Sequence, residues 1–321
     1  MQISQAALAS IFRGYKVLYD QAYQATPTIS GDFVMESPSS NEQEVLDWLG
    51  SMPGMRKLVG EIVIQNMAAG TWTITNDEFE STVAVKQSRI ENDTFGIYNP
   101  VMSALGAAAA QHKDELVIGN ILVNGFTNKD FTGKNFFDTA KKREPKDAGY
   151  TNYGTFPLNA YGYMKARANL LGRMNASGRP LSLGRKLILV CSTANEPIAK
   201  QILASSTMIQ AIAGTAGGTS VGGSIDNVNK GTAQVVPSAY IDASATPNAW
   251  FLLETGMIFK PLIWQVNKAP VLTALTSPDS DHVFKHHEFL YQAYGRYAAS
   301  YLMGDLAFGS DGTGAALTAY P

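Results

Sequence analysis

The sequence predicts a mixed α+β fold, and three observations carry that prediction. A stretch at 71–90 alternates in polarity like a strand and leads into a long helical pattern at 100–124. A continuous apolar run, Leu187–Cys191, has the composition of a strand that is buried on both faces, and Asn195 then starts a helix. Two further apolar strands are indicated within 250–264. Strands and helices therefore alternate in one part of the chain and segregate in another.

The chain of 321 residues is poor in charge, with 16% charged and 45% hydrophobic residues, where soluble proteins carry roughly 25% charged residues. Either the surface is compact and neutral, or partners cover much of it. We favour partners, because the cores of interfaces are depleted of charge. The formal net charge of −2 and the pI near 6.1 predict only weak, non-specific contact with DNA.

Cysteine usage and hydropathy exclude several classes of protein. Cys191 is the only cysteine, so neither an intrachain disulfide nor a cysteine zinc site is possible. The N-terminus lacks the features of a signal peptide, and no apolar run reaches the roughly 20 residues that span a bilayer. We therefore expect a soluble, non-secreted chain without membrane contact.

The N-terminal region is predicted to hold two helices. Residues 1–25 carry apolar side chains at helical spacing, and this amphipathic helix either packs on its own domain or reaches a neighbour as an arm. Residues 26–40 form a connector rich in proline and serine. Asn41 is expected to cap a second helix through Leu49, which Gly50 ends.

The stretch at 71–90 is interpreted as a two-stranded ribbon that turns at Asn76 and Asp77. A ribbon of this kind is marginally stable in water on its own. We therefore expect it to lie on a second copy of the chain, with Asp77 and its acidic neighbours as a charged end. The residues expected to contact the neighbouring subunit are Trp72, Ile74, Phe79, Val83, Val85 and Lys86 in the ribbon, and Phe12 and Tyr15 in the first helix.

The helix after the ribbon is predicted to start with Asn99 as its N-cap and Pro100 in its first turn, and to end at Gly125. A basic cluster follows, for which we favour a solvated face; the alternative is contact with an acidic neighbour or with packaged DNA. The cluster consists of Lys141, Lys142, Arg143 and Lys146.

Five elements are predicted in the rest of the chain. They are a helix at 158–172, a mobile low-complexity loop at 207–231, two strands at 250–264 joined at Thr255 and Gly256, one or two paired strands at 283–308, and a tail that is flexible in isolation. Pro261 indicates that the second of the joined strands lies on an edge or contains a bulge.

Five groups of short motif residues are spread along most of the chain. They comprise Asp47, Trp48, Leu49, Gly50, Pro53, Met55, Arg56 and Gly60; Asn76, Phe79, Glu80, Thr82, Val83 and Val85; Ile90, Glu91, Asp93, Gly96, Tyr98, Pro100, Leu105 and Gly106; Gly133, Phe136, Phe137, Asp138 and Thr139; and Lys260, Pro261, Leu262, Ile263 and Gln265. Together they resemble the major head subunit of Mu-like phages and prophages. Asn92, Ala140 and Lys141 depart from that family's pattern.

This resemblance implies the Hong Kong 97 phage capsid fold. The ribbon at 71–90 would be the extended loop that overlaps the adjacent subunit, and 100–124 would be the spine helix. The expected parts are an N-terminal arm and connector at 1–58, the extended loop and its base at 59–93, a peripheral domain at 94–180, an axial α/β domain at 181–262, and a return to the peripheral domain with the tail at 263–321.

No residue pattern indicates catalysis, a cofactor or a metal. The glycine-rich stretch at 214–223 lacks the lysine and hydroxyl residue of a phosphate loop, and no serine stands in a nucleophile elbow. A structural role is favoured for the only cluster with metal-ligand side chains, because alternation on a strand would separate His286 from His287. That cluster is His282, His286, His287 and Glu288. Lys86 is the ribbon's candidate for a covalent cross-link, which we do not predict.

The predicted function is therefore structural rather than enzymatic. The resemblance implies a major capsid protein that self-assembles through overlapping arm and loop contacts into hexamers and pentamers of an icosahedral head around double-stranded DNA. Its expected partners are copies of itself, the portal, and scaffold, protease or decoration proteins of the same phage. It would reside in the virion after assembly in the host bacterial cytoplasm. The alternative is the shell subunit of an encapsulin-like protein compartment.

Overall fold

The computed structural model describes residues 5–46, 71–92, 96–142, 149–174, 178–181, 183–184, 186–212 and 221–318. Its α-helices are α1 (Gln5–Ala25), α2 (Gln87–Glu91), α3 (Asn99–Asp114), α4 (Ala160–Leu171), α5 (Glu196–Leu203), α6 (Ala239–Asp242) and α7 (Asp281–His286). Its strands are β1 (Val34–Pro38), β2 (Gln43–Leu46), β3 (Trp72–Thr75), β4 (Asp77–Lys86), β5 (Tyr153–Gly154), β6 (Leu187–Cys191), β7 (Thr207–Ile212), β8 (Val221–Asp226), β9 (Gln234–Pro237), β10 (Trp250–Glu254), β11 (Leu262–Leu275), β12 (Glu288–Tyr301) and β13 (Ala307–Ser310).

Two main sheets organise the described chain. The four-stranded sheet has the order β1-β11-β12-β4, with β1 parallel to β11 and the other pairs antiparallel. The five-stranded sheet has the order β5-β13-β10-β6-β9. Two separate antiparallel pairs, β2 with β3 and β7 with β8, complete the strand pairing. The predicted α+β class is thus confirmed.

The spine helix, predicted over 100–124, is continuous from α3 through a π-helical segment, Glu115–Leu122, to a 3-10 turn, Val123–Phe126. Tyr98 rather than Asn99 is its N-cap, and Pro100 lies in the first turn as predicted. Helix α1 crosses the spine so closely that a Cβ on Gly106 would lie 2.4 Å from the Tyr19 carbonyl oxygen. Only glycine fits at this crossing.

The prediction that Leu187–Cys191 is buried on both faces is confirmed, since every residue of β6 is buried. Leu187, Leu189 and Cys191 join the apolar cluster on the α4 side of the sheet, whereas Ile188 and Val190 join the cluster on the spine side. A third cluster lies between α1, the start of the spine and the four-stranded sheet. Every helix in the described part of the chain is too short or too polar to cross a bilayer.

The predicted helix from Asn41 to Leu49 is wrong where it can be seen, because Gln43–Leu46 is strand β2, paired with β3. The Glu44 carboxylate does not lie in a first helical turn. It accepts hydrogen bonds from the Ser39 hydroxyl at 3.1 Å and from the Ser40 N–H at 3.2 Å. Residues 47–50, and the motif residues from Asp47 to Gly60, lie outside the described chain.

The predicted hairpin at 71–90 is also wrong, since β3 pairs with β2 and β4 pairs with β12. Asn76, expected at the turn, is instead a buried junction between the two strands. Its side-chain amide donates to the Ser39 hydroxyl at 3.0 Å and to the Asn41 carbonyl at 2.9 Å, and its side-chain oxygen accepts from Gln265 at 3.0 Å. A buried amide with three partners stabilises a crossing from one strand pair to another sheet.

Two other predictions need correction. Residues 207–212 and 221–226, expected within a mobile loop, form the β7–β8 pair. The strands at 250–264 belong to different sheets, because β10 pairs with β6 and β13, whereas β11 lies inside the four-stranded sheet. Pro261 precedes β11, which lies inside its sheet but contains a bulge, one of the two predicted alternatives, with register shifts between Val266 and Val271. Strand β13 joins the five-stranded sheet beside β10.

Candidate assembly surfaces

Strands β2 and β3 form a two-stranded unit attached to the body through β3. Trp72 is half-buried, and its indole N–H donates to the Ser300 hydroxyl at 2.9 Å. Ile74 is buried in the main core. On β2, the side chain of Val45 is 52% exposed, opposite Thr73. The unit thus exposes one large apolar residue, Val45, whereas Trp72 and Ile74 secure the unit to its own subunit.

Among the described residues, strand β4 is an outer strand of the four-stranded sheet and pairs with β12 on one side. Phe79 and Val83 are half-buried, Val85 is buried and Lys86 is exposed. The Glu78 Oε1 atom lies 3.6 Å from Arg296 Nε, and the Glu80 carboxylate accepts a hydrogen bond from the Gln292 side-chain amide at 3.1 Å. An unpaired strand edge that carries charged residues is typical of a surface protected against uncontrolled pairing.

His112 connects the spine helix to the four-stranded sheet. Its ring packs edge-on against Phe79 at 4.6 Å between centroids, and its Nδ1 lies 2.8 Å from the Tyr297 hydroxyl oxygen. Phe79 also stacks on Tyr297 at 4.8 Å. Burial lowers the pKa of His112, and the nearby Glu115 carboxylate opposes that shift. A cavity of about 250 Å³ opens beside these rings.

Helix α1 lies on its own subunit along its length, the first of the two interpretations left open by the sequence. Tyr15 is buried and meets Tyr291 edge-on at 5.3 Å between ring centroids. Phe12 is half-buried against the same apolar cluster. The arm's polar face, including Arg13 and Lys16, remains exposed.

The eight residues expected to contact a neighbour fall into two groups. Tyr15, Ile74 and Val85 are each at most 5% exposed within their own subunit, so they present no side-chain area to another copy in this conformation. The premise that the ribbon has no partner in its own subunit is wrong for β4, which pairs with β12 over its whole length. Contact with a neighbour stays a prediction for the half-buried or exposed residues Phe12, Trp72, Phe79, Val83 and Lys86.

The basic cluster is not a solvated face at Lys141, which is fully buried. Its Nζ forms an ion pair with Asp130 and donates to the carbonyl oxygens of Asn135 at 3.1 Å and Phe136 at 3.3 Å. Burial lowers the pKa of Lys141, and Asp130 opposes the shift. Lys142 is exposed, whereas Arg143 and Lys146 lie outside the described residues.

The histidine cluster has a different geometry from the expected strand. His282 and His286 lie on α7 with ring centroids 4.7 Å apart, and His287 follows in a left-handed conformation with φ of 53°. Among the described residues, no three His, Cys, Asp or Glu side chains converge as metal ligands would. Most of the glycine-rich stretch, 214–220, lies outside the described residues.

Two anchoring carboxylates were not identified from the sequence. Asp114 on the spine accepts hydrogen bonds from the Ile29 and Ser30 N–H groups, both at 2.9 Å, and so fixes the connector after α1. Glu254, fully buried, accepts from the Gly256 N–H at 2.8 Å and the Lys186 N–H at 3.2 Å. Their hydrogen-bond partners lie far away in the sequence or in irregular segments, so no local sequence pattern indicates either carboxylate.

Several large apolar side chains project into solvent. Phe284 is 75% exposed at the tip of α7, and Ile258 is 88% exposed in the loop before β11. A groove of about 600 Å³ runs between α1 and the start of the spine. Exposed apolar groups and an apolar groove on one molecule are typical of surfaces that associate.

Comparison with known proteins gives consistent similarities. The family described as "Mu-like prophage major head subunit gpT" matches residues 8–156 and 226–319. The major capsid protein of Escherichia phage Mu is 25% identical over 301 residues, which are 94% of this chain and 72% of that protein. The Mu-like prophage FluMu major head subunit of Haemophilus influenzae is 21% identical over 292 residues, which are 91% of this chain and 69% of that protein.

Solved structures agree with the sequence comparison. A chain in the procapsid of bacteriophage JBD30 superposes with a TM-score of 0.58 at 25% identity, covering 96% of this chain and 76% of that one. A virus-like particle from Pyrococcus furiosus gives a TM-score of 0.54 at 10% identity, covering 93% of this chain and 98% of that one. The second similarity concerns the fold alone.

Proposed function

This chain belongs to the Mu-like prophage major head subunit gpT family and is a major capsid protein, and from that premise we propose that its copies form hexamers and pentamers of an icosahedral head around double-stranded DNA. The family match over both main parts of the chain carries this proposal. Phage head subunits are structural proteins of the virion, and a protein-cargo compartment is not favoured by relatives of this kind.

We propose the β2–β3 unit, rather than β4, as the extended loop that overlaps a neighbour. In support, β2 and β3 pair with each other and belong to neither of the two main sheets. Val45 exposes half of an apolar side chain there. The spine helix, α1 and the four-stranded sheet would then be the peripheral domain, and the five-stranded sheet would be the core of the axial domain.

Rings of six or five copies require heterologous contacts that close by rotation. An interface of standard size buries about 800 Å² on each partner, and the repetition of such contacts makes a lattice far tighter than any single pair. The portal and the scaffold, protease or decoration proteins are proposed as further partners, with assembly in the host cytoplasm. The low net charge supports only weak contact with packaged DNA.

Electron microscopy of the full chain after overexpression in bacteria tests this function. The wild-type chain should appear as closed shells in the micrographs. Val45→Asp should remain folded but stop at small oligomers, because a charge on the β2 face would be buried against the next copy. Val45→Thr, which keeps the shape and the strand preference, is the matched control. Normal shells from Val45→Asp would refute the role of β2, whereas wild-type chains that never form shells would refute the function.

A further inference from the structure

Phe284 is held as a rigid apolar knob. It lies on α7, where the Ser280 hydroxyl caps the helix by accepting from the Val283 N–H at 3.3 Å. Val283 is only 3% exposed and joins the apolar cluster below, so α7 is anchored from beneath. Phe284 itself is 75% exposed. A large aromatic side chain on a fixed helix loses little conformational freedom when it is buried by a partner.

The groove of about 600 Å³ can receive such a knob. It is lined by Ile11, Tyr15 and Leu18 of α1, by Ile90 of α2 and by Gly96 before the spine. Gly14 of α1 also lines it, and a Cβ there would meet no atom within 4 Å. Val17, at the rim, is 54% exposed. The floor is apolar and the glycine leaves room above it.

Charge differs in sign between knob and groove. Asp279 and Asp281 precede Phe284 in the chain and are exposed, and Lys285 pairs with Asp281 at 2.8 Å. None of the salt bridges in the described chain includes Asp279. Arg13 of α1 lines the groove and is exposed. Complementary charges at the rim favour correct docking and exclude other orientations.

Knob and groove lie on separate elements that pack on one apolar cluster, since Val283 beneath the knob and Tyr15 and Ile90 of the groove all belong to it. The knob does not occupy the groove of its own copy, since Phe284 is exposed. A knob on one surface and a groove on another form a heterologous contact, which closes into a ring when copies meet around a rotation axis.

We propose that Phe284 of one copy inserts into the α1 groove of a neighbouring copy, with Asp279 beside Arg13. This inference rests on the proposed shell function and identifies one of its contacts. An aromatic side chain buries roughly 200 Å², well below the about 800 Å² per partner of a complete interface. The contact therefore acts together with larger ones, and its loss affects shell closure more than folding.

The first test fills the groove with a larger side chain from the groove's own copy. Gly14→Leu extends a side chain into open space on a helix, where leucine is also a better helix former, so the chain should fold at least as well as wild type. Closed shells should fall by about tenfold or more, because one lost contact is repeated across the lattice. Gly14→Ala, which raises helix propensity but leaves the groove open, should form shells as wild type does. Phe284→Ala should reproduce the Gly14→Leu defect.

Cross-linking between two different chains is the second test. Chains carrying Val17→Cys are co-assembled with chains of different length carrying Phe284→Cys, so a mixed disulfide dimer on a non-reducing gel must join two copies. The native Cys191 is buried and does not compete. Ile258→Cys, also highly exposed, replaces Phe284→Cys in the control and should give no dimer.

The outcomes separate the two proposals. Mixed dimers in closed shells, together with the Gly14→Leu defect, support the docking. Closed shells that lack the dimer, or Gly14→Leu shells at wild-type yield, overturn the docking and leave the shell function in place. Failure of the wild-type chain to form any shell overturns both.

Discussion

Replacing Lys141 with methionine tests whether the buried ion pair stabilises the fold. The substitution keeps most of the side-chain length but removes the ammonium group. Asp130, whose side chain is 1% exposed, would then be a buried carboxylate without its cation, and the Asn135 and Phe136 carbonyls would lose their donor. Removing one partner of a buried ion pair costs about 3–5 kcal/mol of the free energy of unfolding.

The pair also predicts strong coupling between its two members. Asp130→Asn removes the charge but keeps a side-chain oxygen, Oδ1, to accept from Thr132, whose N–H lies at 2.9 Å. Each single variant leaves the opposite charge buried and unpaired, whereas Lys141→Met with Asp130→Asn leaves neither. The double variant should therefore lose much less stability than the sum of the single variants.

Thermal unfolding at one fixed protein concentration is the appropriate assay, because association shifts the apparent midpoint. At roughly 2–3 °C per kcal/mol for a chain of this length, Lys141→Met should lower the midpoint by about 6–15 °C. The neighbouring exposed Lys142→Met is the matched control and should change stability by less than about 0.5 kcal/mol. If Lys141→Met unfolds at the same temperature as the Lys142→Met control, the ion pair does not stabilise the fold.

Four further substitutions, at three positions, probe other contacts. Asp114→Asn should reduce stability by about 1.5–3 kcal/mol, measured by thermal unfolding, because it replaces a charged acceptor of the Ser30 N–H by a neutral side chain. His287→Gly should raise stability by up to about 1 kcal/mol in the same assay, and His287→Val should lower it, because the residue adopts φ of 53°. The pKa of His112 is lower in the folded chain than in the unfolded chain. The unfolded chain is therefore protonated first as the pH drops below the ordinary value of 6.5, and the free energy of unfolding should fall. His112→Phe should reduce that fall in unfolding scans between about pH 7.5 and 5.

The elements that the sequence predicts well have local causes. Pro100 and the apolar stripe indicate the spine helix, and the run Leu187–Cys191 indicates a fully buried strand; both are confirmed. The burial of Lys141 has no such local signal, because a turn at 130–133 brings Asp130 to it. A lysine in a run of basic residues is predicted to lie on the surface unless the residue that pairs with it is known.

Strand β4 shows why the partner of a strand is harder to predict than the strand itself. Alternation correctly indicates an extended stretch at 77–86, but its partner, β12, lies some 200 residues later in the chain. The pair Asn76 and Asp77 lacks the glycine that tight hairpin turns favour. Asn76 is buried for another reason, since Gln265 of β11 and the Ser39 and Asn41 region each bond its amide. Local signals for a turn and for a buried polar junction use the same residue types.

The corrected pairing changes which variants can report on assembly. Asp substitutions at both Trp72 and Phe79 would break the Ser300 hydrogen bond and the stack on Tyr297 inside the subunit, so a loss of shells from that double variant would measure folding as well as association. Val45 and Phe284 are free of this ambiguity, because they expose 52% and 75% of their surface to solvent. A charge at either position disturbs no described core contact, and a chain that unfolds normally but fails to close shells then reports on contact between copies.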